Sequence, residues 1–385
     1  MTIAVVRVAK HGYRQVICIG SATAEGLSLI GIAVFASGER DLLVKCCRTV
    51  GACLRQGFDM PSFWRSRGAL VAGGAGMIGS YLVDVLVREG ANVRVVDNLE
   101  GGSLENLANC RSDIEFIQAD LRDRATCRSA VQGVDAVFDL AAKTMGIAYS
   151  GAHHGQMLCE SLLPAVHLLE AARQAGVGRF LVTSSSCVYP DDSPVPTPES
   201  AAERNCPESA NEGYGWGKRV AELLAGYYAR DGMQVVVARL ANAYAPRYNW
   251  RSGEPHVIPA IIRRILQGED PLVIWGSGRQ TRSFIHAYDV AVAMKTLLEK
   301  AIPAVPVNIG PHEETPIAWL ALELTAMASY SGRVVFDTSK PEGPPRKALD
   351  TSRLRQMLPD YDVSIALQDG LRETLSAARA FYGRK

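Results

Sequence analysis

The stretch that decides the fold is residues 69–79, which read ALVAGGAGMIG. Four small apolar residues, typical of a buried strand, are followed by closely spaced glycines and then by apolar residues at helical spacing. Glycine allows a tight turn and a close approach of the backbone to a ligand, while the N-terminus of the next helix favours phosphate. The stretch therefore predicts a strand–turn–helix unit that holds a diphosphate, with contacts from Gly73, Gly76, Met77, Ile78 and Gly79.

Similar short apolar runs recur along the chain and alternate with amphipathic segments. The predicted strands are 69–72, 93–96, 114–117, 136–140, 180–183 and 235–238. Runs this continuous are expected of strands buried on both faces, and alternation with helices predicts that the strands are parallel. The fold class is therefore α/β, with a Rossmann-type doubly wound parallel sheet.

These patterns divide the chain into three regions. Residues 1–66 do not share the alternation, and we interpret them as a poorly packed N-terminal extension, with a small accessory subdomain as the alternative. Residues 67–243 are predicted to form the dinucleotide-binding domain, to which the chain returns near 284–310. Residues 244–385 are predicted to form a smaller C-terminal substrate-binding lobe, with helices near 257–267, 288–300, 316–328 and 364–381.

Composition excludes several classes of protein. The 385 residues include 41 Lys+Arg and 40 Asp+Glu, and a net charge of +1 argues against nucleic acid or an anionic membrane as partner. Nine cysteines without paired spacing predict neither a disulfide framework nor a zinc site, so we expect no metal. No uncharged apolar run reaches the roughly 18 residues of a membrane helix, and the apolar core of a conceivable signal peptide is too short. We therefore expect a cytoplasmic protein.

The second predicted strand leads into Asp97-Asn98, about 20 residues after the glycine-rich turn. A carboxylate at this place accepts hydrogen bonds from the ribose hydroxyls of an adenosine and repels a 2′-phosphate. The predicted cofactor is therefore NAD rather than NADP. Two later strands reach the same edge of the sheet and add the candidate cofactor contacts Asp120, Leu121, Leu140, Ala141 and Ala142.

Two further motifs carry proton chemistry. Tyr214 and Lys218 are four residues apart, so they project from one face of a helix, where the ammonium would lower the pKa of the phenol. Such a tyrosine can exchange a proton with a substrate hydroxyl near neutral pH. The run Ser184–Ser186 follows the strand 180–183 and can hydrogen-bond the reacting oxygen, although at least one of these serines is expected to satisfy only the backbone.

Together these motifs resemble the extended short-chain dehydrogenase/reductase family, whose members include NAD-dependent epimerases and dehydratases of nucleotide sugars. The resemblance covers residues 68–385. Within the family the chain is similar to two subfamilies, the GDP-L-fucose synthases and the GDP-mannose 3,5-epimerases. The shared segments are SSCVYP at 185–190, HVIP at 256–259, WGSG at 275–278 followed by Arg282, and KPEG at 340–343 followed by PRK at 345–347.

The resemblance implies roles for individual residues. Ser185, Tyr214 and Lys218 would form the redox triad, and Cys187 with His256 would exchange protons on a 4-keto sugar. The implied contacts to the nucleotide sugar are Asn242, Arg264, Arg282, Trp275 and Lys340. The resemblance also implies a homodimer.

The sequence departs from these subfamilies at three places. Asp97 suits NAD, whereas the fucose synthases reduce with NADPH. Ser161 stands where the family usually has Asn, and Met145–Ile147 keeps only part of a glycine-rich loop. The incomplete loop leaves the register of the substrate at this segment open.

The residues and the resemblance favour an NAD-dependent epimerase acting on a GDP-mannose-type hexose. It would oxidise C4, exchange protons at C3 and C5, and then reduce C4. One alternative is an epimerase/reductase of the fucose-synthase type that uses NAD(P)H. Another, from a different class, is a catalytically silent NAD-binding sensor or scaffold. A 4,6-dehydratase is disfavoured, because that subfamily carries an Asp-Glu pair where this chain has Ser186-Cys187.

Overall fold

The computed structural model describes residues 5–10, 13–23, 26–36, 62–253, 255–300, 305–340 and 342–383. Backbone contacts divide the chain into two compact units, Met1–Pro61 and Ser62–Lys385. In the first unit, three strands form an antiparallel sheet in the order β1 (Val5–Lys10), β2 (Tyr13–Thr23), β3 (Gly26–Ala36). The two interpretations of this unit, as a poorly packed extension or as a small accessory subdomain, both stay predictions.

The boundary between the two units lies a few residues earlier than the predicted one. Trp64 is fully buried, and its ring centroid lies 5.5 Å from that of Phe138 in the core of the second unit. The Ser62 hydroxyl donates to Glu89 at 2.6 Å. Residues 62–66 therefore belong to the second unit, because a large aromatic ring that the sequence analysis assigned to the extension fills its core.

Within the described residues of the second unit, seven parallel strands form the central sheet. They are β4 (Gly68–Ala72), β5 (Asn92–Asp97), β6 (Ile114–Gln118), β7 (Ala136–Asp139), β8 (Arg179–Ser185), β9 (Gln234–Leu240) and β14 (Pro306–Ile309). Their order across the sheet is β6-β5-β4-β7-β8-β9-β14. The strand order reverses between β4 and β7, which is where doubly wound sheets bind their ligands. The predicted fold class is confirmed.

Helices cover both faces of this sheet. They are α1 (Met77–Arg88), α2 (Arg124–Ala130), α3 (Ile147–Ala152), α4 (His154–Gln174), α5 (Glu212–Arg230) and α7 (Ala287–Glu299). The strands between them are almost entirely buried, apart from the edge strand β6. This explains why their sequences are continuous apolar runs rather than alternating ones.

Residues 242–286 and 315–383 contribute a second group of elements, with an apolar core of its own around Ile262, Leu320 and Leu371. The helices of this core are α6 (Val257–Leu266), α8 (Ile317–Ala328) and α10 (Leu367–Tyr382), whereas α9 (Ser352–Met357) packs Leu354 into a core of the central sheet. The short strands are β10 (Asn242–Tyr244), β11 (Leu272–Trp275), β12 (Thr281–Arg282), β13 (Phe284–His286), β15 (Thr315–Pro316), β16 (Val334–Asp337) and β17 (Arg346–Lys347). Of these, β10 pairs with β13, β11 with β16, and β12 lies between β15 and β17.

The division of residues 67–385 into two domains remains a prediction, since the two parts are interleaved along the chain. The chain returns to the central sheet at α7 and β14, near the place where a return was predicted. Strand β14 forms one edge of the sheet, beside β9. Among the described residues, no helix is both long enough and apolar enough to cross a membrane.

Candidate active site

The turn after β4 forms a narrow backbone cradle. Gly73 has a φ of +73°, and a Cβ atom there would lie 2.9 Å from the backbone of Leu140, directly after the neighbouring strand β7. A Cβ on Gly79 would lie only 2.3 Å from the carbonyl oxygen of Gly73. No side chain caps the N-terminus of α1 at Gly76, so the first turn, with Met77 and Ile78, keeps its N–H groups and its positive dipole for a ligand. These positions match the predicted diphosphate contacts.

Asp97 lies at the end of β5 beside this cradle. It is buried, and its two carboxylate oxygens accept hydrogen bonds from the backbone N–H groups of Ala75, at 3.0 Å, and Leu99, at 2.8 Å. Burial raises the pKa of this carboxyl, although both hydrogen bonds act in the opposite direction. Asp97 therefore braces the glycine-rich turn in addition to its predicted contact with a ribose.

The neighbouring strand ends complete the edge. Asp120, with Leu121 buried beside it, accepts from the backbone N–H of Arg122 at 2.8 Å and pairs with the guanidinium of that residue; its hydrogen bonds to Arg122 lower its pKa. Asn98 also contacts the Asp120 carboxylate. On the other side, Leu140, Ala141 and Ala142 are half-buried directly after β7. The predicted cofactor contacts therefore line one edge of the sheet.

Ser185 and Tyr214 meet at the end of β8. The Ser185 side chain hydrogen-bonds the Tyr214 phenol, and its Oγ also accepts from the backbone N–H of Cys187 at 3.2 Å. Tyr214 lies in the first turn of α5, and the Lys218 ammonium lies 5.7 Å from the centroid of its ring. The structure therefore brings together the three predicted members of the redox triad.

The predicted effect of Lys218 on Tyr214 is wrong in this structure. Burial raises the pKa of Tyr214, and the neighbouring Cys187 adds to the rise, against the hydrogen bond from Ser185. Burial also lowers the pKa of the fully enclosed Lys218, opposed by the carboxylates of Asp139 and Glu222. Spacing in the sequence shows that the two groups are neighbours, but it does not show that folding removes both from water, which costs more than their attraction returns.

The serine run divides into different roles. Ser184 is buried and donates to Glu222, which also forms an ion pair with Arg239 at 2.6 Å. This buried network continues through the Tyr189 hydroxyl to Asn308 on β14. Ser184 therefore stabilises the core, as expected for at least one member of the run, while Ser185 is oriented toward Tyr214.

Cys187 has two neighbours that the sequence analysis did not assign. Its thiol contacts the carboxylate of Glu208, and Glu208 forms an ion pair with Lys347 on β17. Burial raises the pKa of Cys187 to about 12, while the Lys347 ammonium acts to lower it. Lys347 belongs to a segment quoted for the resemblance, but no pattern in the sequence marks Glu208, because its position depends on the folding of the loop before α5.

His256 lies at the N-terminal end of α6, where its backbone N–H donates to the Tyr248 hydroxyl at 3.3 Å. His256 is exposed at the surface, and the partial removal of its ring from water by the surrounding protein atoms lowers its pKa. The contacts seen among the described residues do not join this ring directly to Cys187. The pairing of the two residues therefore stays a prediction.

Several of the predicted substrate contacts already have hydrogen-bond partners within the protein. The Arg264 guanidinium is held by Glu269 through hydrogen bonds of 2.7 and 2.5 Å, so a contact with a diphosphate would require it to exchange partners. Arg282 donates to two backbone carbonyls and lies near the carboxylates of Glu208 and Glu342. The side-chain nitrogen of Asn242 donates to the carbonyl of Ser283 at 3.1 Å, and this hydrogen bond does not use the side-chain oxygen of Asn242.

The other predicted positions are more exposed. The Trp275 side chain at the end of β11 is 50% exposed, and Lys340 is exposed in the loop after β16. Ser161, at the position usually held by Asn, is fully buried and donates to the carbonyl of Met157 at 2.6 Å, so it is occupied within α4. The segment Met145–Ile147 leads into α3 with Gly146 at its N-terminus.

The residues at the sheet edge fit a dinucleotide. The cradle admits no side chain at Gly73 or Gly79, the start of α1 is uncapped, and a buried carboxylate ends the next strand. These are the features that bind the diphosphate and the adenosine ribose of NAD.

Comparisons with known proteins agree with this site. Residues 69–310 match the family described as NAD dependent epimerase/dehydratase. A GDP-L-fucose synthase of Escherichia coli (strain K12) is 32% identical over 321 residues, which cover 79% of this chain and 94% of that protein. GDP-mannose 3,5-epimerase 1 of Oryza sativa subsp. japonica is 30% identical over 308 residues, which cover 79% of each protein.

Solved structures show the same fold. A UDP-glucose 4-epimerase of Thermotoga maritima superposes with a TM-score of 0.73 at 28% identity, covering 82% of this chain and 99% of that one. A dTDP-glucose 4,6-dehydratase of Streptomyces venezuelae, solved with NAD bound, gives a TM-score of 0.72 at 27% identity, covering 82% and 98%. The predictions of an enzyme and of NAD as its cofactor are confirmed: the chain belongs to the NAD-dependent epimerase/dehydratase family, whose members act on nucleotide sugars.

Proposed function

We propose that the protein epimerises a GDP-activated hexose of the mannose type at C3, C5 or both, through a transient ketone at C4. The observation that carries the proposal is the cluster of Ser185, Tyr214 and Cys187, in which a redox tyrosine and a thiol lie side by side. Tyrosine suffices for oxidation at C4, whereas a thiol at this place gives the site a second group that can move a proton. The relatives named as GDP-L-fucose synthase and GDP-mannose 3,5-epimerase support GDP as the nucleotide.

NAD, when bound at the sheet edge, supplies the acceptor and donor of hydride. Tyr214 takes the proton of the C4 hydroxyl, and Ser185 orients that oxygen through the hydrogen bond it shares with the phenol. The Lys218 ammonium, 5.7 Å from the centroid of the phenol ring, offsets only part of the cost that burial places on the phenolate as the proton leaves. A C4 ketone acidifies the hydrogens on C3 and C5, and Cys187 and His256 exchange these protons on opposite faces of the sugar.

The nucleotide end of the substrate is assigned to the second group of elements. Trp275 offers an exposed aromatic face to a base, and Arg282 and Lys340 offer positive charge to the diphosphate. Arg264 joins them once it releases Glu269, and Asn242 adds its amide oxygen. The net charge of the whole chain is close to zero, so recognition of the anionic substrate depends on these local cations.

The experiment is incubation with NAD⁺ and a panel of GDP-, UDP- and CDP-sugars in D₂O, with products identified by NMR. Epimerisation through the C4 ketone puts deuterium at C3 or C5 and none at C4, because the C4 hydrogen never meets solvent. Cys187→Ser should strongly lower the deuterium incorporation, because a serine hydroxyl is far less acidic than a thiol. Inversion at C4 without any solvent deuterium would contradict the proposal.

A second candidate is a net reductase of the fucose-synthase type, which several relatives favour by name. It would use the same Cys187 and His256 and would then consume reduced cofactor stoichiometrically. Turnover that stops without added NADH or NADPH would decide for this candidate, and turnover with catalytic NAD⁺ would decide against it.

We further propose that the protein is a cytoplasmic homodimer. An apolar stripe runs along α5 through Trp216, Val220, Leu223 and Tyr227, and all four side chains are exposed. Residues at this spacing share one face of a helix, and a second copy of the chain could bury them. Leu223→Arg should convert the dimer to a monomer in light scattering, whereas Leu104→Arg, at another exposed leucine, should not.

A further inference from the structure

The Cys187 thiol lies against an ion pair made by two segments that are 139 residues apart in the chain. Glu208, from the loop before α5, is buried and contacts the thiol. One of its carboxylate oxygens accepts from the Lys347 ammonium and the other from the Asn211 amide, at 2.5 Å. The carboxylate is therefore held in place by partners on two sides.

Other charged groups also face this corner. Arg282 pairs in register with Lys347 across β12 and β17, and its charge acts on both Lys347 and Glu208. Ser185, at the end of β8, hydrogen-bonds the thiol, and Tyr214 on α5 is close enough for the thiol to act on its charge. The charged groups that act on the thiol itself are therefore Glu208 and Lys347, and Arg282 acts on these two.

The members of the ion pair act on the thiol with opposite signs. A nearby carboxylate favours the S–H form, because the thiol can donate to it and because a thiolate beside it would repel it. A nearby ammonium favours the thiolate. Burial favours the S–H form of Cys187, and the Lys347 ammonium opposes part of that effect without reversing it, so the ion pair adjusts the acidity of a thiol that stays weakly acidic.

We propose that Glu208 and Lys347 are positioning residues that together adjust the proton affinity of Cys187, with Lys347 favouring loss of the thiol proton and Glu208 favouring its return. The inference rests on the proposed function in one respect, namely that Cys187 exchanges a proton with the sugar. The pair couples the two parts of the chain, because the thiol belongs to the strand end at β8 and the ammonium to the short strand β17. Cys187 therefore acquires Lys347 as a neighbour only when these two segments come together in the fold.

The test is the pH dependence of alkylation of Cys187 by iodoacetamide in the full-length protein, followed by peptide mass spectrometry so that other cysteines do not interfere. No sugar is needed. Glu208→Gln should move the inflection to lower pH by about one unit, a tenfold faster reaction on the acidic limb. Lys347→Met should move it to higher pH by a similar amount. Lys347→Arg, which keeps the charge, should stay near the unaltered protein.

The matched controls are Lys300→Met and Glu105→Gln, which change the same charges at exposed positions on the same unit. They should leave the inflection unchanged. The double variant Glu208→Gln/Lys347→Met removes both charges, and its inflection should fall between those of the two single variants. Shifts of the two single variants in the same direction, or none in either, would overturn the proposal even if both proteins fold.

A second measurement separates this inference from the proposed function. If the thiol titrates as expected but no sugar exchanges deuterium, the pair sets the acidity of Cys187 and the proposed function fails. If Cys187-dependent deuterium exchange is found while neither variant shifts the thiol, the function stands and the inference is wrong. If both hold, Lys347→Met should slow exchange more at low pH than at high pH.

Discussion

The two halves of the site differ in the groups that form them, which are backbone groups in one half and side chains in the other. The cofactor half is mostly backbone: glycines that exclude side chains, an uncapped helix start, and one carboxylate that accepts from two backbone N–H groups. The sugar half consists of charged side chains that already have partners, such as Arg264 with Glu269 and Lys347 with Glu208. A backbone cradle is fixed once the fold forms, whereas paired side chains can be retuned by single substitutions. The comparison predicts which changes lose cofactor and which lose only chemistry.

The largest effect expected is from Tyr214→Phe, which removes one oxygen from the chemical centre. Oxidation of the sugar should fall by about 10³-fold, since the group that moves the hydroxyl proton is lost. NAD affinity, measured by calorimetry, should stay within about threefold, a difference below 1 kcal/mol. Tyr227→Phe, at an exposed tyrosine on the same helix, is the control and should change neither quantity. A large loss of NAD binding in Tyr214→Phe would show that the two halves are not separable.

Gly79→Ala tests the backbone half. The new Cβ would lie 2.3 Å from the Gly73 carbonyl oxygen, so the turn or the helix must shift. We expect NAD affinity to fall by at least about tenfold and the stability to fall by roughly 2 kcal/mol, as in overpacked cores. Gly226→Ala is the control, because nothing lies within 4 Å of a Cβ there, and it should stabilise α5 by about 0.5–1 kcal/mol. Unchanged NAD binding in Gly79→Ala would contradict a cradle set by backbone.

Asp97→Asn changes the one side chain on which the cofactor half depends. The preference for NAD over NADP, measured as a ratio of dissociation constants, should shrink by about tenfold, because the charge that repels a 2′-phosphate is gone. NAD affinity itself should fall less, since an amide oxygen can still accept one backbone N–H. Equal affinity for both cofactors in the unaltered protein would remove the basis for this expectation.

The smallest effect concerns Asp139, which is fully buried under the edge between the two halves and whose pKa burial raises to about 6. An acid whose pKa is higher in the folded than in the unfolded state costs stability as pH rises through that range. Asp139→Asn should therefore stabilise the protein more above pH 6 than below pH 4, by about 1 kcal/mol in urea unfolding, because loss of the charge facing Lys218 offsets part of the gain.

The control for Asp139 is Asp123→Asn at the N-terminus of α2. Hydrogen bonds to Thr126 lower the pKa of this exposed carboxyl, so its contribution is present at neutral pH and is lost in acid. Its substitution should destabilise more at neutral pH than in acid, which is the opposite direction. The same pH trend in both variants would mean that burial does not govern Asp139.

The difference between local backbone features and side chains that folding brings together also explains what could be predicted from the sequence. The strands, the glycine-rich turn and the Tyr214–Lys218 spacing depend on residues close together in the chain, so local periodicity revealed them. Glu208 escaped notice because its partners are brought to it by folding, and the pKa of Tyr214 was predicted in the wrong direction because burial cannot be judged from spacing. The partner of Arg264 lies only five residues away, but an arginine near a glutamate occurs too often in sequences to signal an ion pair.

The position of β14 has a consequence for how the chain can be made and cut. This strand pairs with β9, yet some sixty-five residues separate the two, and they include α6 and α7. During synthesis the edge of β9 therefore stays open until residue 309 has emerged, and a fragment ending near 243 would expose that edge to other chains. Any attempt to express the nucleotide-binding part alone, or to exchange the sugar-binding part between relatives, has to carry 287–309 with the first part as a separate graft.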